Sequence, residues 1–522
     1  MGQRAAVTKQ THYDVLVIGG GINGAGIARD AAGRGLSVLL CEQDDLASHT
    51  SSSSTKLIHG GLRYLEYKEF GLVRKALQER ETLLRAAPHI MWPLRFVMPH
   101  MPNLRPAWLI RIGLFLYDHL ARRELLPGSH GITMARHATG GPLIDSIKRG
   151  FVYSDGWVDD ARLVVLNAMD ARERAAAILT RTRLISAERA DGEWLARLQR
   201  ADGSTFEVRA RAIANATGPW AGSVLHGALG RDARHSVRLV KGSHIITKRL
   251  FDHDHAYIFQ NPDKRIIFAI PYEHDFTLIG TTDVEYRDDP SKVAIDGDET
   301  QYLCDSINRY FKRTISPVDV HWTYSGVRPL LEDENAENAS VVTRDYRLEM
   351  DPGRGAPLLS VFGGKITTFR KLSEDAVGML CEALGTHAPA WTAGQPLPGG
   401  DIANARFAPF ADAFAQRHAW LPAALARRYA RAYGTRADRV VAGAQSVDGL
   451  GAAIAPGLYE AELRYLRDHE WATCAEDVLW RRSKLGLHVA PGTLDTVTAA
   501  VEAWFAATRA LAAEPAQARP VH

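Results

Sequence analysis

Cysteine is scarce and scattered. Cys41, Cys304, Cys381 and Cys474 show no C-x-x-C spacing, which argues against a zinc site or a disulfide framework and fits a reducing compartment. Net charge is almost absent too: 63 basic against 60 acidic side chains leave +3, so bulk charge gives no argument for nucleic acid and anionic partners must be met by local clusters. No apolar run reaches the roughly 18 residues of a membrane span. The first dozen residues lack an apolar core, so no secretion signal is expected, and residues 1–12 and the last dozen read as loose tails. No internal repeat is visible. What remains is a globular composition, 46% hydrophobic and 24% charged, over 522 residues, too long for one ordinary domain.

The strongest local signal is YDVLVIGGGINGAGIARDAAGRGLSVLLCE, Tyr13 to Glu42. An apolar strand runs into Gly19-x-Gly21-x-x-Gly24, a helix follows, and a second strand ends on an acid, Glu42. Gly19 permits the sharp turn, Gly21 lets backbone approach a pyrophosphate, and Gly24 lets the helix pack closely on the strands. The helix N-terminus then offers free N–H groups and a positive dipole end to phosphates, and Glu42 is placed for a ribose diol. A tight turn without a ligand is the competing reading, but strand, helix, strand and acid all fall in register.

Next come six hydroxyl residues, Thr50 to Thr55, and KLIHGGLRYLE. Composition alone would make the hydroxyl run a linker. Its place directly after a nucleotide unit favours a polar cradle for the phosphate and ribityl part of a flavin, with Gly60 and Gly61 giving clearance beside the ring. Residues 70–125 read as helical with a proline-punctuated middle. Within them Pro106 to Tyr117 is apolar and aromatic, interrupted by Arg111 and flanked by Arg105, Arg122 and Arg123; it suits either a membrane interface or a buried helix. GFVYSDGWV reads as aromatic and turn residues ahead of an amphipathic helix from about Asp159. Strand-like runs separated by Asp191-Gly192 and Asp202-Gly203 follow, ending in the strand and glycine turn Ala212 to Gly218. Four β segments between Arg238 and Asp283 suit an antiparallel sheet over a cofactor face. A second strand–glycine–helix junction lies at LSVFGGKITTFR, which contains Lys365 and Thr367. Past Pro396-Leu-Pro-Gly-Gly400 the composition turns to alanine, arginine and leucine at helical spacing. There the cluster Glu476 to Arg482 reads as a structural ion-pair network.

GGGINGAGIARDAAGRGLSVLLCE, SSTKLIHGGLRYLE, KGSHI, IGTTDVEY, YSGVRPL, FGGKITTFRKL and EDVLWRRSKLGL, in this order, resemble the FAD-dependent, quinone-linked glycerol-3-phosphate dehydrogenase family, within the D-amino-acid-oxidase-like flavoproteins. The resemblance covers nearly the whole chain. It implies an α/β fold: a Rossmann-like FAD-binding domain with an antiparallel β substrate cap (13–395, cap roughly 70–150 and 235–340) and an all-α C-terminal domain (401–510). It implies FAD held by Gly19, Gly21, Gly24, Glu42 and Gly218, with Thr50, Ser51, Ser54, Thr55 and Thr367 along the cofactor. It also implies oxidation of sn-glycerol 3-phosphate to dihydroxyacetone phosphate by hydride transfer from C2 to flavin N5. Electrons pass to a membrane quinone, at the inner face of the cytoplasmic membrane.

The residue types fit that chemistry. Arg63, Arg328 and Lys365 stand beside glycine turns and suit a phosphate monoester. A histidine suits removal of the C2 hydroxyl proton. His244 is preferred for the substrate side and His59 is the alternative, as ring support or base; Tyr64 is a candidate hydrogen-bonding partner. Lys365 also suits anionic charge at flavin N1 and C2=O. Thr281, Thr282 and Asp283 fit a turn as well as a substrate contact. Three function classes compete: a quinone-linked dehydrogenase, an oxygen-using glycerol-3-phosphate or small-amine oxidase, and a flavin-binding protein without activity. The cations favour a phosphate over an amine, and the helical C-terminal domain is a reasonable surface for a homodimer.

Overall fold

The computed structural model describes residues 11–101, 105–231, 237–331, 345–351 and 355–513. The expected loose tails lie almost wholly outside them. The chain divides into two compact units, broken between Ala405 and Arg406.

The larger unit is built on two sheets. The first grows from the glycine-rich segment. His12–Ile18 runs parallel to Val38–Cys41 on one side and to Thr205–Asn215 on the other. Ala177–Leu179 and Leu358–Gly363 extend the parallel run outward, and Tyr346–Met350 closes the far edge antiparallel. Thr182–Ala190 and Glu193–Arg200 form a hairpin leading into Thr205–Asn215. Both residues of its turn, Asp191 and Gly192, have positive φ, the twist that a two-residue hairpin requires. The helix Ile22–Gly33 lies on this sheet and is buried from Gly24 to Ala32. Arg29 reaches Asp170 of the helix Asp160–Glu173 at 2.6 Å. A Cβ on Gly26 would sit 2.4 Å from Ser373 Oγ of the helix Phe369–Ala383, so glycine sets that close approach.

The second sheet forms the cap. Its strands run in the order Val284–Glu285, Val237–Lys248, Phe276–Gly280, Ile266–Tyr272, Ala256–Gln260, Met91–His100, Arg149–Val158, Leu57–Ile58, with Val320–Leu331 and His130–Thr133 paired alongside. It is antiparallel except where Ala256–Gln260 meets Met91–His100 in parallel. Three expectations are corrected here. Residues 70–125 are not helical throughout: the strand Met91–His100 separates the helices Phe70–Ala86 and Ala107–His119. GFVYSDGWV is a strand rather than a turn region. The helix after it, capped by the Asp159 side chain on Arg162 N–H, is buried on every face from Asp160 to Ala171 rather than amphipathic.

Residues 406–513 are mainly helical, with one small hairpin, Ala453–Ala455 with Leu458–Tyr459, so the domain is not purely α. Its core buries a fork: both Nη atoms of Arg428 meet the two oxygens of Glu462 at 2.6 Å, and Tyr433 OH donates to the same carboxylate at 2.6 Å. The cluster Glu476 to Arg482 sits on a π-helical turn. There Arg481 pairs with Asp477 at 2.6 Å, and Arg482 donates to Glu470 O, an arrangement that positions backbone more than it adds net stability.

Candidate active site

The carboxyl ends of the parallel strands open into one elongated cavity of about 760 Å³, against which the cap sheet places its own residues. Ligands of such sheets bind at this edge. Its lining includes Glu42, Trp220 and Thr182 to Ile185, and also His59, Arg63, Tyr64, Arg328 and Lys365.

The glycines divide their tasks. Gly19 has φ +107°, and a Cβ there would sit 2.7 Å from Ala216 O. Gly21 borders the cavity, and a Cβ there would meet only Ser51 Oγ, at 3.1 Å, while filling space that a pyrophosphate needs. Gly24 does not line the cavity; its Cβ would fall 1.9 Å from Gly19 O, so its absence brings helix onto turn. Burial raises the Glu42 carboxyl above its ordinary pKa, opposed by N–H donors from Asp44 and Gly20, the latter at 2.6 Å. Glycine clearance, a helix N-terminus and a buried acid at the second strand fit a dinucleotide with a ribose diol.

The hydroxyl run lines the cavity, yet several of its side chains serve the loop itself. Thr50 Oγ1 donates to Val327 O at 2.7 Å, and Ser54 Oγ donates to Asp160 at 2.7 Å. Asp160 also holds Lys56 at 2.7 Å. Ser51 Oγ accepts the Ile22 N–H at 3.0 Å and so ties the loop to the helix N-terminus. Gly218, with φ +56°, and Thr367 line the cavity; Thr367 Oγ1 accepts the His59 N–H at 3.1 Å.

Several cations line the cavity. Arg328 donates to Asp283 at 2.5 Å and to Thr281 Oγ1 at 2.8 Å, so its guanidinium is held in place with three-quarters of its surface covered. The Lys365 ammonium stands 3.7 Å from the centre of the Tyr64 ring. Arg63 and Arg265 line the cavity as well.

His244 is placed otherwise than expected. It is 1% exposed and does not line the cavity. Its ring stacks on Tyr324 at 4.7 Å, its Cδ2 lies against Gly280, and its Nε2 meets Thr55 Oγ1 at 3.0 Å. The Thr55 hydroxyl thus connects it to the cavity. Burial, with Arg328 and Lys56 nearby, holds its pKa well below the usual value. His59 lines the cavity directly. Sequence reasoning missed Arg265, Asp155 and Trp220 as lining residues. Arg265 ends an ordinary Asp-Lys-Arg turn and carries no signal; Asp283 stood within a stretch that was readable as a turn.

Two family models match. The FAD-dependent oxidoreductase family covers residues 14–369, and the C-terminal domain of α-glycerophosphate oxidase covers 390–508. The chain is 56% identical to the glycerol-3-phosphate dehydrogenase of Pseudomonas aeruginosa, covering 92% of this chain and 93% of that one. It is 52% identical to the D-erythritol 1-phosphate dehydrogenase of Brucella abortus, covering 94% and 97%. Among solved structures it resembles the glycerol-3-phosphate dehydrogenase of Bacillus halodurans complexed with FAD, with TM-score 0.78 and 27% identity over 96% of this chain and 91% of that one. With this cavity, its fingerprint turn and these relatives, the chain belongs to the FAD-dependent glycerol-3-phosphate dehydrogenase family, and FAD is its cofactor.

Proposed function

We propose that the protein oxidises sn-glycerol 3-phosphate to dihydroxyacetone phosphate and delivers the electrons to a quinone at the inner face of the cytoplasmic membrane. The observation that carries this reading is that Arg63, Arg265, Arg328 and Lys365 line the same cavity as His59. A phosphate monoester carries nearly two negative charges and is well matched by fork-shaped guanidinium donors. An amine substrate would gain nothing from four cations. Arg328, braced by Asp283 and Thr281, binds the phosphate, with Arg63 and Lys365 beside it. Tyr64 keeps the Lys365 ammonium in place. His59, fixed through its backbone to Thr367, takes the C2 hydroxyl proton on its ring. His244 orients the Thr55 hydroxyl. When bound, FAD supplies the redox chemistry, accepting hydride from C2 and passing two electrons to the quinone.

A four-carbon polyol phosphate is the second reading, motivated by the Brucella abortus relative. The test is an anaerobic spectrum with sn-glycerol 3-phosphate and, separately, D-erythritol 1-phosphate. We expect glycerol 3-phosphate to bleach the oxidised flavin band near ~450 nm, a property of the cofactor, and a quinone analogue to restore it faster than oxygen. Faster bleaching by the four-carbon substrate would transfer the substrate assignment. Faster reoxidation by oxygen would make the enzyme an oxidase.

Membrane delivery is supported by the helix Ala107–His119. Its outward face shows Trp108 (65% exposed), Leu109, Ile112, Phe115 and Leu116, with Arg105 and Arg122 exposed at its ends. Among the described residues no helix is long and apolar enough to cross a membrane. Partial burial of five such side chains contributes on the order of 5 kcal/mol, which corresponds to roughly submillimolar affinity before electrostatic attraction. That suffices for reversible docking on an anionic surface. Replacing Trp108 and Leu109 with serine is expected to abolish co-sedimentation with phosphatidylglycerol vesicles while FAD content is kept. Unchanged sedimentation would sink the docking face.

A further inference from the structure

The helix Ala107–His119 buries only Leu114 and Tyr117 of its own residues, and Tyr117 is 1% exposed. The Tyr117 hydroxyl accepts the Gly60 N–H at 2.8 Å and donates to Asp155 Oδ1 at 2.7 Å. The same Asp155 oxygen takes Arg80 Nη1 at 2.6 Å and lies 3.4 Å from the Gly60 nitrogen. Asp155 and Arg80 are as buried as Tyr117. A Cβ on Gly60 would fall 2.7 Å from the Tyr117 oxygen, so glycine is what admits the contact. Gly60 stands between His59 and Gly61, which both line the cavity.

This arrangement is expensive for stability alone, because a buried ion pair returns little beyond its own desolvation. It does fix one backbone N–H between two acceptors, one on the helix and one in the core. The Gly60 N–H is shared, with the Tyr117 oxygen at 2.8 Å and Asp155 Oδ1 at 3.4 Å, so loss of the Tyr117 contact would leave it to Asp155 alone. A buried N–H shared between a hydroxyl of the outward helix and a core carboxylate gives movement of that helix a direct physical route to the turn.

We propose that Tyr117 is a positioning residue that couples the outward helix to the His59–Gly61 turn, so that engagement of the apolar face by an anionic lipid surface is reported at the flavin. This rests on the docking and cofactor reading above. The experiment uses the holoenzyme and vesicles of equal parts phosphatidylglycerol and phosphatidylcholine. In the wild type, vesicle binding is expected to alter the flavin absorption band and to change kcat by about threefold or more. Tyr117→Phe keeps the ring and removes the hydroxyl. It should sediment with vesicles as the wild type does, with KM within about twofold, but show neither the spectral response nor the change in kcat. A response equal to that of the wild type overturns the proposal, as does a wild type that sediments without any flavin response. A wild type that does not sediment overturns docking and coupling together. A wild type whose flavin responds to vesicles but is not bleached by glycerol 3-phosphate refutes the substrate and leaves the coupling standing. If Tyr117→Phe yields no flavoprotein, hydrogen exchange at the Gly60 amide in the wild type answers the same question: slower exchange on vesicles supports the coupling, and unchanged exchange overturns it.

Discussion

His59→Asn is expected to lower kcat for glycerol 3-phosphate by about 10²–10⁴-fold, the usual contribution of a positioned general base, with FAD still bound. The anchor to Thr367 uses the His59 backbone N–H and survives the substitution, so the loop keeps its shape and only the ring is lost. KM should change far less than kcat. The matched experiment is His244→Asn. That ring reaches the cavity only through the Thr55 hydroxyl, and its replacement is expected to cost roughly tenfold or less, because it acts on orientation and not on the transferred proton. Stopped-flow reduction of the flavin under both substitutions decides between them. If His244→Asn is the more damaged, the proton leaves through Thr55 and His59 is ring support.

Arg328→Ala should act on the other kinetic constant. The guanidinium is braced by Asp283 and Thr281 before substrate arrives, so little of its binding energy is spent on ordering. Losing charge-assisted bonds worth about 1.5–3 kcal/mol raises KM by roughly 10–150-fold. The upper part of that range is expected, because Asp283 is left facing the phosphate without its partner cation. FAD content should be unchanged. Steady-state kinetics at a fixed quinone analogue concentration checks this, and a KM within twofold of wild type would remove Arg328 from the phosphate site.

The cofactor half of the fold was readable because its signals are local: glycines, two strands and an acid within thirty-odd residues of sequence define one turn and one helix. The misread parts of the cap share a single cause. Met91–His100 contains Pro93 and Pro99, and proline ordinarily demotes a strand. Each proline pairs with a glycine across the ladder, Pro93 with Gly156 and Pro99 with Gly150, so the bulk of one strand is matched by the lack of it in the other. Read alone, the partner's Asp155-Gly156 resembles a turn. Neither strand is recognisable until both are aligned, and nothing local says that they pair. The same limit applies to the site. KGSHI placed His244 in the correct strand, but which side of that strand meets the cavity depends on Tyr324 and Thr55, which come from distant segments. Arg265 was invisible because its role lies entirely in where the cap sheet puts it.

The parallel sheet is completed last by the strand Leu358–Gly363, which lies beside Thr205–Asn215 and delivers Gly363 to Thr367 to the cavity. During synthesis, therefore, the glycine turn at Gly19 emerges long before the lysine and threonine that line the same cavity. A ribosome-bound chain that stops short of Lys365 holds only part of the cradle, and such non-local closure is slow to form. Completion of the cavity lining is thus a late event in the synthesis of the polypeptide.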